Sequence, residues 1–493
     1  MTKLLIDWLD HRTGYRSMVS AALYEHIPGG ARWRYVWGST LVFAFAVQMV
    51  TGFFLWAGYS PSAQTAWESV YYIQYEMAGG WLLRGIHHFM AQAMIVLLVL
   101  HLAQVIIDGA YRAPREINFW IGLLLMQVVL GLALTGYLLP WDQKGYWATQ
   151  VATNIMGIVP VVGPSLQRIV IGGSDYGHLT LTRFFALHAG LLPFLMMVLI
   201  AVHIYVFRRH GITSRKPLKG PDGVFWVDQV LKDAIACLVV LAVVLFLIFW
   251  PWMKSMGAVA PGAELGAPAD PSVAYSAARP EWYFLFLFQF LKLKAFAGEN
   301  EIIGAVAIPS IVLMIFALMP LMGRWNLGHR FNVAFFFAIA LGVLLLTGMA
   351  IREDRGNPAY QSAVERAEIE AHRAVELAQA PARIPVGGAV TLLRSDPYLQ
   401  GPRLFAANCA ACHRYDGHNG MGISDGLSPQ SASDLKGFAS RAWTSGILDP
   451  AKIDTPAFFG GTKHKGGKMS EFIHDELAAA DDAKKAQLAA VAV

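Results

Sequence analysis

Seven apolar runs decide most of what this chain can become. They lie at 37–57, 83–107, 119–139, 184–207, 234–252, 302–322 and 331–351, here called spans A to G. Each is about 19–25 residues long, enough for an α-helix to cross a hydrocarbon core. A helix suits that medium because it satisfies its backbone polar groups internally. The rest of the 493-residue sequence agrees: it is 55% hydrophobic and 15% charged, against about 25% charged in soluble domains. Disordered chains, nucleic-acid binders and simple soluble enzymes are excluded. The net charge of +5 is small for the length, and three cysteines exclude a disulfide scaffold.

The first 36 residues are amphipathic and lack the apolar core and cleavage site of a secretory signal. They are expected on the cytoplasmic side, partly on the membrane surface. Seven crossings then put everything after span G outside. Charge agrees with this parity. Arg112 and Arg115 follow span B, and Arg208, Arg209, Arg215, Lys216, Lys219 and Lys232 follow span D. Arg324 and Arg330 follow span F. Residues 353–395 are charged, Ala-rich and helix-prone, then Pro/Gly-containing, and read as a linker. A small soluble domain follows at 396–493.

Spans B and D carry histidines at membrane depth, which is a functional position by default. Span B holds His87, His88 and His101; span D holds His188 and His203. His87 and His101 are 14 residues apart, roughly 40° short of four turns, and so share a face about 21 Å apart along the axis. His188 and His203 are 15 apart, about 60° past four turns. His88 fails the same test with His101, the two lying roughly 140° apart. Both spans run outside to inside, so His87 pairs in depth with His188 and His101 with His203. Two levels of two imidazoles suit two bis-histidine haems stacked across a membrane, with no open iron position, for electron transfer. Interhelical hydrogen bonding accounts well for one such histidine and poorly for two matched pairs.

Gly38 and Gly52 in span A, and Gly122 and Gly136 in span C, repeat at the same 14-residue interval. A porphyrin edge needs close backbone approach, which glycine permits. Arg84 and Arg183 lie just outside the histidines, where they can pair with haem propionates.

Cys409-Ala410-Ala411-Cys412-His413 is the C-x-x-C-H motif of covalent haem c attachment, with His413 as proximal ligand. Zinc would need a second ligand pair, which His418 and His464 do not supply. Met469, in HKGGKMSEF, sits in a stretch that resembles the methionine loop of small class I cytochromes c, which implies it as distal ligand. Met421, eight residues after His413, is a poorer geometric choice. The C-terminal DDAKKAQLAAVAV reads as the start of such a domain's closing helix.

Over roughly residues 20–350 the chain resembles the cytochrome b family of quinol:cytochrome c oxidoreductases. The resemblance rests on RGIHHFMA in span B, TGYLLPWDQKGYWA after span C, LTRFFALHAGLLP opening span D, and ARPEWYFLF. The last contains the PEWY signature of the quinol-oxidation site, Pro280, Glu281, Trp282 and Tyr283. The 15-residue spacing in span D and the seven spans resemble the chloroplast and cyanobacterial form, with its two membrane chains fused. That form carries an extra haem on a cysteine at the start of span A, where this chain has Val36.

The resemblance implies an all-α membrane protein ending in a small α-helical cytochrome c domain. Its parts would be an interfacial segment (1–36), a four-helix dihaem domain (37–215), a three-helix domain with the PEWY loop (216–352), the linker (353–395) and the cytochrome c domain (396–493). It implies quinol oxidation at the outer face, with Glu281 accepting a proton and Tyr137 and Tyr283 lining the pocket. One electron would go to a Rieske iron–sulfur protein and then to haem c. The other would cross through the two haems b to an inner quinone near Asp233 and Arg208. Asp233 also reads as a helix N-terminal carboxylate. A homodimer within a multi-subunit proton-translocating complex of a bacterial inner membrane is implied, with an electron-accepting cytochrome c or oxidase outside. Ubiquinone and menaquinone both remain open. The rival is a dihaem membrane anchor for a soluble dehydrogenase, which has no need of a PEWY loop.

Overall fold

The structure is a computed structural model describing residues 2–213, 220–257, 259–296, 298–424 and 426–492. Arg215, Lys216 and Lys219, and the expected boundary at 215/216, lie outside the described residues. Among the described residues, regular structure is helical apart from isolated bridges and one antiparallel pairing of two-residue strands, His26–Ile27 with Gly223–Val224.

All seven spans form. They run Trp33–Gly58, Gly80–Ile107, Glu116–Tyr137, His178–His210, Phe225–Lys254, Ile303–Met322 and Asn326–Arg355. The chain is therefore an all-α, multi-pass membrane protein. Spans D and E begin well before their apolar runs, at His178 and Phe225. A helix continues past its apolar stretch where water can satisfy its polar residues.

The chain divides into two compact units. The first comprises Met1–Leu265 and Ala278–Glu353; the second comprises Gly266–Ala277 and Asp354–Val493. In the first unit, spans A to E share a core that includes Ala44, Phe45, Met90, Met94, Val128, Met196, Val244 and Ile248. A second cluster joins Ile106, Tyr111, Phe119 and Leu123 to Phe316 and Met319 of span F and Phe336 of span G. Lipid offers little hydrophobic drive between helices, so close packing and polar links hold them. One such link is centred on the buried Asn332 and Tyr111. Asn332 Nδ2 donates to Tyr111 Oη (3.0 Å) and to the Met319 carbonyl (2.9 Å), and Tyr111 Oη bonds His329 Nδ1 (2.8 Å).

The second unit departs from the sequence expectation for 353–395. That stretch is largely one helix, Pro358–Gln379, and it belongs to the C-terminal unit. Asn357 caps it by accepting from the Tyr360 amide (3.1 Å), and Pro358 suits its first position. Ala363, Ala371, Ala374 and Ala378 form its buried side. Arg373 grips Asp396 with two bonds (3.0 and 2.8 Å), and Glu370 accepts from Arg403 (2.5 Å). Composition reads as a linker because these partners are distant in sequence.

The same unit holds Gly266–Ala277 through Arg394, whose Nε and Nη2 reach the two Asp270 oxygens at 2.9 and 2.6 Å. Ser272 adds its amide (3.0 Å) and hydroxyl (2.6 Å). Burial alone would raise the Asp270 pKa, but the Arg394 and Ser272 bonds prevail and hold it down to about 2. The clamp's contribution is therefore full above the unfolded carboxylate value of about 3.9 and is lost as pH falls through the folded value. Pepsin is expected to cut within 266–277 faster at pH 2 than at pH 4. With rates normalised to pepsin's own activity on an unfolded substrate at each pH, Arg394→Gln should make the segment equally cleavable at both.

Candidate functional site

The four expected histidines meet in two pairs. His87 and His188 have ring centroids 6.2 Å apart with planes at 75°; His101 and His203 are at 6.5 Å and 77°. A metal ion bonded at about 2 Å to one nitrogen of each ring sets the centroids about 6 Å apart. Both pairs therefore fit a bis-imidazole axial set.

The His87–His188 pair is also oriented for it. Thr51 Oγ1 lies 2.9 Å from His87 Nδ1 while donating to the Val47 carbonyl (2.7 Å). His188 Nδ1 lies 3.1 Å from the Leu132 carbonyl. With Nδ1–H donating to these oxygens, Nε2 is unprotonated, as a ligand nitrogen must be. His101 Nδ1 is buried without a partner among the described residues.

Span D reaches this geometry by a device that helix arithmetic misses. Ala186–Leu191, which contains His188, is a π-helical turn. Such a turn holds an extra residue, which absorbs the 15-residue spacing and brings His188 back into line with His203. Pro193 helps, since it has no N–H to donate to the carbonyl four residues earlier.

Each of the four glycines stands against one histidine. A Cβ on Gly38 would lie 3.6 Å from His101 Cε1, and one on Gly52 3.2 Å from His87 Cε1. On Gly122 it would lie 3.4 Å from His203 Cε1, and on Gly136 2.5 Å from His188 Cε1. Spans A and C thus present bare backbone to the imidazoles of spans B and D.

The arginines are engaged locally. Arg84 donates to Gln74 Oε1 (2.9 Å) and to the carbonyls of Ala263 (2.8 Å) and Glu264 (2.6 Å). Arg183 donates to the Ile169 carbonyl.

The Pro280–Tyr283 loop opens the short apolar helix Trp282–Leu291. Trp282 Nε1 donates to Gln92 Oε1 (3.2 Å), and Gln92 Nε2 donates to His88 Nε2 (2.8 Å). His88, excluded as a ligand by angle, is thus tied to the loop through a residue one turn on. Tyr283 packs against the core of spans A to E. Burial raises the pKa of Glu281, Lys144 opposes that rise, and the carboxylates of Asp142 and Glu264 add to it. Burial also raises the phenol of Tyr283. Beyond Tyr137 at the end of span C, buried Trp141 takes a left-handed backbone (φ 51°) that turns the chain. Asp142 then caps the helix Gln143–Gly157 by accepting from the Gly145 amide (2.8 Å).

On span E, Asp233 is buried and accepts from Gln229 Nε2 (2.8 Å), whose Oε1 accepts from the Arg32 amide (2.9 Å). Arg208 lies 3.7 Å from Glu25.

In the C-terminal unit the helix Pro397–Asn408 ends at Cys409, and the Cys412 and His413 amides both bond the Cys409 carbonyl (3.1 and 2.8 Å). Cys409 and Cys412 are not joined in a disulfide. His413 Nδ1 lies 2.8 Å from the Ser433 carbonyl, which leaves Nε2 for a metal. Met469 packs at the margin of the core formed by Ile447, Ile453, Ile473, Leu477 and Leu488. Gln92, Thr51, Lys144 and Glu264 escaped the sequence reading. Only Gln92 carried a signal, its four-residue spacing from His88.

Two family models match the chain, cytochrome b/b6/petB over residues 24–211 and cytochrome b(C-terminal)/b6/petD over 268–360. The menaquinol:cytochrome c reductase cytochrome b subunit of Geobacillus thermodenitrificans is 39% identical over 222 residues, covering 43% of this chain and 99% of that protein. The chain belongs to the cytochrome b family. Cytochrome b6 of Synechococcus sp. (strain JA-3-3Ab) is 38% identical, covering 42% of this chain and 97% of its own. Cytochrome b of Rhodobacter capsulatus is 34% identical over 302 residues, covering 59% and 67%. A solved structure, "Hyperthermophilic respiratory Complex III", aligns with a TM-score of 0.57 at 27% identity, over 74% of this chain and 95% of its own. As a cytochrome b the chain binds haem b and is a member of an oxidoreductase complex of the membrane.

A methyl group on Gly136 would collide with a rigid imidazole, whereas one on Gly38 would make ordinary contact. Gly136→Ala is therefore expected to lower the haem b bound per purified chain, read from the reduced-minus-oxidised spectrum. Gly38→Ala should leave it unchanged.

Proposed function

We propose that this cytochrome b oxidises quinol at an outer site in a cytochrome bc-type complex and carries its own haem c domain. The observation that supports this best is the combination, in one chain, of two imidazole pairs and the PEWY loop with its half-buried Glu281. The names of relatives in Geobacillus thermodenitrificans and Bacillus subtilis, both menaquinol:cytochrome c reductase subunits, agree with it.

In this reading His87 with His188, and His101 with His203, hold two haems b, while Cys409, Cys412, His413 and Met469 hold one haem c. These groups supply one-electron acceptance and transfer at two depths of the membrane and at the outer end. The protein's own part is to bind quinol, take its protons and direct its two electrons apart. Pro280, Trp282, Tyr283 and Tyr137 line the quinol pocket. Glu281 takes a proton as general base and releases it to water outside. At the inner end Asp233 delivers a proton to a quinone being reduced, with Arg208 nearby as a cation. Arg84 and Arg183 retain donors for haem carboxylates.

The N-terminal segment 1–36 is cytoplasmic, 37–215 forms the dihaem domain, 216–352 carries the PEWY loop, and 396–493 is the extracytoplasmic cytochrome c domain. A Rieske protein, a second copy of the chain and an outer electron acceptor complete the complex in a bacterial inner membrane.

The deciding experiment is a pyridine haemochrome assay on the purified chain before and after acid–acetone extraction. Two extractable haems b and one retained haem c are expected; one haem b or none sinks the two-level reading. Glu281→Gln should lower quinol-dependent cytochrome c reduction by about a hundredfold, the low end for loss of a general base, with haem content unchanged. Because its proton affinity is raised, activity should climb with pH above the usual glutamate value of about 4.3.

A further inference from the structure

We propose that Lys144 and Glu264 are positioning residues for quinol oxidation: their ion pair seats one cation beside the acids Asp142 and Glu281 and sets the pH at which Glu281 takes its proton. This deepens the reading of Glu281 as proton acceptor and rests on it.

The geometry is specific. Lys144 Nζ reaches both Glu264 carboxylate oxygens, at 3.1 and 3.0 Å. Both partners are themselves anchored. Lys144 lies in the first turn of the helix capped by Asp142. The peptide bearing Glu264 is stitched to the start of span B, because Arg84 binds the carbonyls of residues 263 and 264. Gln74 Nε2 adds a bond to the Pro261 carbonyl (3.4 Å). The Glu264 side chain is 62% exposed and that of Lys144 40%, so the pair is open to water.

An exposed ion pair contributes little to stability, typically below about 1 kcal/mol. Its value here is the field it imposes on its neighbour. The charged groups acting on Glu281 are Lys144 and Asp142 from the helix after span C and Glu264 from the segment after span E. Tyr283, on the same loop, feels Glu281 in return. Arg279 is engaged with the Ala278 carbonyl and lies over the Phe288 ring. From span B, Arg84 and His88 act on the same acid cluster, Arg84 through Asp142 and Glu264 and His88 through Glu264 and Lys144. Lys144 opposes the upward push of burial on Glu281, and Glu264 reinforces it. Three carboxylates, Glu264 first, in turn outweigh burial and hold Lys144 above its ordinary value.

The signs are opposite for the two partners, which a merely structural pair would not produce. Removing the Lys144 charge leaves Glu281 with acids and burial alone, so its titration moves to higher pH. Removing the Glu264 charge takes away one repelling acid and frees Lys144, so the titration moves lower. Each shift should be about half a pH unit, given partial solvent screening.

The test uses the intact complex containing the full chain. Quinol-dependent cytochrome c reduction is followed against pH for wild type, Lys144→Gln, Lys144→Arg and Glu264→Gln. In parallel, the Glu281 carbonyl band is titrated by infrared difference spectroscopy and assigned by its loss in Glu281→Gln. Lys144→Gln should move both curves alkaline, with about threefold lower rate on the acid limb. Glu264→Gln should move both acid, and Lys144→Arg should coincide with wild type. Curves that coincide for all variants, or move the same way for Lys144→Gln and Glu264→Gln, overturn the proposal. The infrared titration needs no turnover. A shifted band with quinol oxidation indifferent to Glu281→Gln would overturn the proton-acceptor role and, with it, this role for the pair. An unshifted band with activity dependent on Glu281 would overturn the pair's role alone.

Discussion

Four imidazoles held in facing pairs inside an apolar bundle are the constraint on which the rest of the membrane unit depends. A neutral imidazole at membrane depth is costly unless both nitrogens are used. For His87 and His188 the neighbouring spans meet that demand, while Nδ1 of His101 and of His203 is buried without a partner among the described residues. Span A supplies Thr51 to His87, span C supplies the Leu132 carbonyl to His188, and glycines on both spans withdraw their side chains from the rings. The packing of spans A to E around Met90, Met94, Val128 and Val244 follows from keeping four helices close enough for those contacts.

The PEWY loop is tied into the same frame. Trp282 reaches span B through Gln92 and His88, one position from His87. Arg84, three positions before His87, holds the 263–264 carbonyls. The proposed proton acceptor is therefore framed by residues anchored on the histidine-bearing helix. At this end Lys144 interacts with three acids, Glu264, Asp142 and Glu281, and Arg84 acts on two of them from span B.

The legible part of the site was its periodic part. Fourteen-residue spacing on span B, and the matched glycine interval on spans A and C, follow from a regular helix and need no tertiary information. The spacing of 15 on span D was a residual that a straight helix leaves unexplained; the π-helical turn at Ala186–Leu191 accounts for it. Arg84 illustrates the limit of position alone. Its place beside His87 was readable, but its carbonyl partners lie about 180 residues away in sequence. Likewise Glu370 and Arg373 looked like part of a charged linker, because their partners Arg403 and Asp396 become neighbours only once the C-terminal unit folds.

By itself the sequence determined the number of crossings, the helical character and the two histidine levels, since each depends on local spacing and on the cost of polar groups in lipid. Tertiary structure alone decided which nitrogen His87 and His188 leave free, where the extra residue of span D is stored and which acids surround Lys144. It also decided that the helix Pro358–Gln379 belongs to the C-terminal unit. These are contacts between residues far apart in the chain, and local periodicity carries no record of them.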